Sequence, residues 1–194
     1  MQVKTPDLSG DPWSGVESVH GLAVDELVSA LHKSIRLGNT ENAALVAAEM
    51  FLTSSELEDH LWRRLEIISV EDVGLGDPVS PALIAVLESL RRRAAPRGPD
   101  RLIFAVHAVR ILAESRKDRT SAELAAWATE VLDRGTRLPE IPESAIDFHT
   151  RRGRELGRGN REWFTTGAVV ENEIPDRDLK YRERLLELID DDNE

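Results

Sequence analysis

The sequence predicts an all-α protein, a compact helical bundle followed by a helical extension. Three observations carry that expectation. Apolar residues recur at three- and four-residue steps along most of the chain, the spacing that lays them on one face of a helix. Strand-like alternation is convincing nowhere. Aromatics make up only 5 % of a chain that is 41 % hydrophobic, so the core has to be built mostly of Leu, Ile, Val and Ala.

Residues 1–21 are polar and interrupted by Pro6, Gly10, Pro12 and Gly15, an irregular lead-in from which Trp13 can dock on the body. Val24, Leu27, Val28, Leu31 and Ile35 then mark a first helix ending at Gly38. A second starts near Asn39-Thr40, and Ala43, Ala44, Ala47 and Ala48 give it a small face that neighbours can approach closely. Ser55 with Glu58 has capping-box spacing and opens the helix around which the chain is organised, with Leu61, Leu65 and Ile68 on one face. That helix runs into Glu71-Asp72 and stops at Gly74, Gly76 and Asp77-Pro78, since glycine accepts positive φ and proline cannot continue a helix.

Ser80-Pro81 is the next start, an N-cap serine with proline at the first helical position. Leu83, Ile84, Leu87 and Leu90 lead from it into Arg91-Arg92-Arg93, charges suited to a helix C-terminus. After the break at Pro96 to Pro99, Asp100 caps a helix carrying Leu102, Ile103, Val106, Val109 and Leu112. Thr120 with Glu123 caps another, carrying Leu124, Trp127, Ala128, Val131 and Leu132. Residues 22–134 thus read as one bundle with short loops. Residues 135–194 differ: a linker with Pro139 and Pro142, an Arg-rich helix, and an acidic helix from Asp178 to Ile189 before a solvated, frayed end.

Several function classes are excluded. A formal charge of -11 argues against a protein that wraps nucleic acid with its whole surface, though not against a local basic site. Without cysteine there is no disulfide, thiolate metal site or Cys nucleophile. The N-terminus has no apolar signal core and no window approaches a transmembrane length, so a cytoplasmic protein is expected. No G-x-x-x-x-G-K-[ST] loop is present to cradle phosphates, and no H-E-x-x-H or nucleophile elbow. The histidines lack metal-ligand spacing, and His107, inside an apolar helix, reads as a hydrogen-bonded core residue. No cofactor and no enzymatic activity are expected.

Two constellations remain. Glu71 and Asp72 face the negative end of a helix dipole, an unfavourable place unless cations offset it. Either they are solvated, or they, with Asp77, meet arginines from elsewhere in the chain or a partner. As general acid and base they are weak candidates, because adjacent helical positions diverge by about 100°. The second constellation is Asp147, His149, Arg151, Arg152, Arg154, Arg158 and Arg161. If Ser144 caps a helix, Asp147 pairs with Arg151, and Arg151, Arg154 and Arg158 form a row. Three readings stay open: pairing with acids such as Glu71, Asp72 and Asp77 or the acidic tail; a phosphate or nucleic-acid contact with Trp163 and Phe164 as stacking surfaces; or a solvated helix.

Three segments carry a family resemblance. DELVSALHKSIRLGNTENAAL, RRLEIISVEDVGLGDP and DRLIFAVHAVRILAESRKDR resemble, in order and separation, the C-terminal region of AAA+ ATPases of the RarA/MgsA type, relatives of the Werner-interacting protein. The resemblance spans about Val24 to Arg134, with SALHKSIR and SVEDVGLGDP its most specific pieces, and AIDFHTRRGRELGRG resembles an ending attached to some members. It implies an all-α domain similar to the clamp-loader collar, through which subunits assemble, with tetramers favoured. By the same analogy the partners are a AAA+ ATPase, single-strand-binding protein or DNA, at stalled forks and in recombination. The Walker motifs are absent, so the ATPase activity does not carry over. Met1 and the polar lead-in favour a free-standing relative over a fragment.

Overall fold

The computed structural model describes residues 12–191. Pro6 and Gly10 of the lead-in and the last three residues of the acidic tail lie outside them. The protein is all-α, and its contacts divide it into two units, Met1–Arg134 and Gly135–Glu194. Among the described residues the one extended pairing is an isolated antiparallel bridge between Glu17 and Ala23. None of the described helices is long and apolar enough to cross a membrane.

The first unit holds α1 (Val24–Arg36), α2 (Thr40–Thr53), α3 (Ser55–Ile68), α4 (Ser80–Arg93), α5 (Pro99–Glu114) and α6 (Thr120–Asp133). Between α3 and α4 lie a π-helical turn, Ser69–Val73, and a 3-10 turn, Gly74–Gly76. Helix α2 packs against α1, α3 and α5, and α5 also packs against α4. The small residues explain the arrangement. Ala43 and Ala47 of α2 and Ala105 and Ala108 of α5 are all buried, which lets those two backbones come close. Around them Leu31, Ile35, Met50, Leu61, Trp62, Leu65, Ile68 and Leu112 fill the core. Trp13 packs on its edge, its ring 5.3 Å from that of His60.

Several expected helix starts move by a residue or two. Ser54, not Ser55, is the N-cap of α3, its hydroxyl accepting from the Leu57 amide at 3.1 Å. Helix α4 begins at Ser80 behind Val79, α5 at Pro99 behind Gly98, and α6 at Thr120 behind Arg119. Asp100 and Thr120 therefore sit inside first turns rather than at caps. Asn39 does cap α2, accepting from the Asn42 amide at 3.1 Å. His107 is exposed, contrary to its expected core placement, because α5 turns Ala105, Ala108, Val109 and Leu112 inward. Ile103, on the same outer side, is 65 % exposed.

The second unit holds α7 (Arg151–Glu155), α8 (Asn160–Glu162), a π-helical turn (Trp163–Gly167) and α9 (Lys180–Asp191). The expected continuous helix from Ser144 through Arg158 does not form. Ser144 lies in a 3-10 turn, Glu143–Ala145, and Thr150 is the N-cap of α7. Asp178 precedes α9 and accepts from the Lys180 amide at 2.8 Å, and the helix takes in Asp190 and Asp191 at its end.

Candidate functional site

The stretch SVEDVGLGDP forms the π-helical turn, the 3-10 turn and the loop into α4. A π turn widens the helix and leaves carbonyls without their usual partners. Here the Asp118 amide supplies them, donating to the carbonyls of Asp72 and Val73 at 3.0 and 3.1 Å. That bond brings the segment joining α5 to α6 directly onto the glycines. A Cβ on Gly76 would stand 2.5 Å from the Arg116 carbonyl oxygen, and Gly74, at φ +51°, would set one against the Asp118 carbonyl. Asp77 completes the tie. One carboxylate oxygen accepts from the Ser115 hydroxyl at 3.2 Å and the other from the Val79 amide at 3.3 Å.

The acids of this turn are met by arginines from two other elements. Arg36, in the last turn of α1, donates through Nε to Asp72 Oδ1 at 2.7 Å and through Nη2 to Glu71 Oε1 at 3.5 Å. Arg119, just before α6, donates to the same Glu71 oxygen at 3.4 Å and holds its buried Nε 3.6 Å from Asp72 Oδ1. Asp72 is fully buried, whereas the Glu71 side chain is 30 % exposed. The two carboxylates that helical geometry sets apart are thus bridged by shared guanidinium groups. Lys117 closes the end of α5, donating to the carbonyls of Leu112, Ala113 and Ser115 at 2.7, 3.0 and 2.6 Å. Burial holds its amine below the usual lysine range.

Behind Asp72 sits His32, buried on α1. Arg64 Nε donates to its Nε2 at 2.8 Å, so that nitrogen keeps its lone pair and the ring is neutral, with Nδ1 at 3.8 Å from Asp72 Oδ2. Burial first, and the charge of Arg64 second, lower its pKa to about 4, with Asp72 opposing. An unfolded histidine titrates near 6.5, so below that pH the unfolded chain binds the extra proton. The stability this contributes is full above about pH 6.5 and is lost as pH falls towards 4, on the order of 3 kcal/mol in all. Ring-proton NMR of His32 should give a midpoint near 4; an ordinary midpoint would mean that the ring is neither buried nor held by Arg64.

His32, Glu71 and Asp72 place ligand atoms within 4.8 Å of one another. A metal there would have to displace guanidinium groups from both carboxylates and Arg64 from the imidazole. Acid–base chemistry fares no better. A groove of about 600 Å³ reaches Glu71 and is lined by Glu66, Ile67, Val70, Ser121, Ala122 and Ala125, but Asp72 does not open onto it. The cluster joins α1, the π turn and the start of α6.

A second ionic cluster was not legible as such. Glu58 and Arg91, each 2 % exposed, pair at 3.2 Å, and Arg101 donates to Glu58 at 2.8 Å and to the Arg91 carbonyl at 3.2 Å. Arg91 also meets Asp59 at 2.6 Å and Glu88 at 3.2 Å, and lies 5.6 Å from the Trp62 ring centre. Arg91 is thus no simple dipole partner at a helix end. The signal was its place three and four residues on from Glu88 and Leu87, on the stripe that Ile84 buries.

In the second unit the arginines do not form a row. Arg154 turns back to the carbonyls of Phe148 and His149 at 3.2 and 2.9 Å. Arg158 donates to the Glu143 and Ile146 carbonyls, pairs with the Glu143 carboxylate, and meets Glu162 at 3.2 Å. Asp147 pairs with His149 at 3.3 Å rather than with Arg151, whose partner is Glu155 at 3.7 Å. The chain turns between Asp147 and Thr150, and Gly153, inside α7, has the Asp147 carbonyl packed where a side chain would stand. Arg151, Arg152 and Arg161 are exposed. Phe148, His149, Trp163 and Phe164 form one aromatic group, with Trp163 4.6 Å from Phe164. The partners of Glu71 and Asp72 are Arg36 and Arg119, arginines of the first unit.

No family model matches the chain. No curated protein matches it either.

Proposed function

We propose that this chain is a non-enzymatic oligomerisation and interaction module, related to the C-terminal region of the RarA/MgsA-type ATPases that its three segments resemble. The observation that supports this most is helix α6. It buries no residue, yet Leu124, Trp127 and Leu132 are 58, 51 and 49 % exposed. A helix carrying that much apolar surface gains its stability by being covered. Assembly of copies would cover it, and closed symmetry is the expected form, with a tetramer the state that the resemblance implies.

The acid–arginine cluster supports the same reading. Its carboxylates are taken up by Arg36 and Arg119, and it fixes the segment that leads into α6. The rival, a phosphate or nucleic-acid contact through the Arg151–Arg158 segment, loses Arg154 and Arg158, both engaged within their own unit.

Light scattering on a size-exclusion column tests the proposal. A multimer should persist on dilution and in high salt, because apolar contacts are not screened as charge pairs are. A monomer at every protein and salt concentration would refute it.

A further inference from the structure

We infer that α6 is covered by α6 of a second copy, the two helices antiparallel and crossing at Ala128. This rests on the assembly reading above and names the surface that serves it.

Along α6, Leu124, Ala128 and Leu132 follow one another at four-residue steps and share a face, with Trp127 and Val131 beside them. Glu123, Glu130 and Asp133 lie on the opposite side of the helix, and Glu130 is paired there with Arg134. The apolar face therefore bears no charge. That matters for a chain of net charge -11, whose copies repel wherever carboxylates meet. A second α6 can lie on this face without bringing acids together.

The order of sizes along the face selects the arrangement. With alanine at the centre and leucine four residues to either side, an antiparallel partner sets Ala128 against Ala128 and each Leu124 against the opposite Leu132. The small centre lets the helices approach, and the leucines fill the space at both ends. Such a contact is its own mirror under a twofold axis, as an isologous interface requires. The helix has 14 residues, about 21 Å of length. Next to it Ile67 and Val70, 43 and 53 % exposed, continue the apolar surface across the groove and enlarge what a pair can bury.

The chain contains no cysteine, so single introduced cysteines report the contact cleanly. Under mild oxidation Ala128→Cys should give a covalent dimer in high yield, because a twofold axis brings the residue to its own mate. Leu124→Cys and Leu132→Cys should each cross-link poorly alone and well when mixed. Glu130→Cys, on the charged side, should not cross-link. Leu132→Glu should leave the chain folded by circular dichroism, since α6 gives the core no buried residue, while its melting loses the dependence on protein concentration that assembly confers. It should raise the dissociation constant at least about tenfold, the change entering twice in a symmetric pair.

A multimer that survives Leu132→Glu and gives no Ala128→Cys cross-link would overturn this inference and leave the assembly reading standing on another surface. Strong cross-linking of Leu124→Cys with itself would mean parallel helices and overturn the arrangement. A wild-type chain that is monomeric throughout would overturn both readings.

Discussion

Asp72→Ala is expected to destabilise the first unit by about 3 kcal/mol, the size seen when one member of a buried ion pair is removed. Asp72 is fully buried, and its loss leaves Arg36 and Arg119 with only the half-buried Glu71 to answer two positive charges. Glu71→Ala should cost no more than about 1 kcal/mol, as for a partly solvated pair, because Asp72 still meets both arginines. The contrast isolates the side-chain charge. The main-chain bond from the Asp118 amide to the Asp72 carbonyl survives either substitution. Urea unfolding followed by circular dichroism measures both. Equal, small losses would show that the cluster is surface decoration.

Glu58→Ala should cost as much or more, roughly 3 to 5 kcal/mol. It would take from Arg91, 2 % exposed, its buried carboxylate, leaving it Asp59 and Glu88, and take from Arg101 its carboxylate partner. The informative comparison is the pair. Replacing Glu58 by leucine and Arg91 by methionine together removes both members of the fully buried pair and leaves Arg101, 12 % exposed, as the one charge without its carboxylate, so the double variant should lose less than the sum of the single losses. Additive losses would mean that the two side chains stabilise the bundle independently, through packing alone.

These two clusters also divide what local pattern can show from what it cannot. The helices of the first unit were legible because their apolar spacing is strong, and the small face of α2 was legible as a place of close packing. That Glu71 and Asp72 sit where cations would offset the helix dipole followed from their position at a helix end, with solvation as the alternative. That the cations are Arg36 and Arg119 did not, since both are far away in sequence and nothing local distinguishes them from the other arginines. Glu58 and Arg91 each sit on an apolar stripe, and that spacing was the available sign of burial. Charge type alone made Arg91 look like a helix-end residue.

The caps shifted for a related reason. Ser54 and Ser55 are adjacent and equally able to cap, and the direction from which the chain leaves α2 selects between them. In GLGDP the glycines read correctly as a stop, but their stricter reason is the backbone of Arg116 to Asp118 lying against them. In the second unit, Gly153 lies inside α7 and admits the Asp147 carbonyl, and the helix stops behind Leu156 at Gly157, φ +73°, short of the row that the spacing of Arg151, Arg154 and Arg158 had suggested.

By itself, then, the sequence determined the all-α class, the approximate helices and the absence of phosphate-loop and zinc-helix motifs. These follow from periodicity and residue chemistry, which act over a few turns of chain. Tertiary structure alone decided which arginine meets which acid, that His32 is held neutral, and that α6 keeps an uncovered apolar face. Each depends on backbones brought together from distant parts of the chain, where burial and close approach determine the outcome and local spacing carries no information about either.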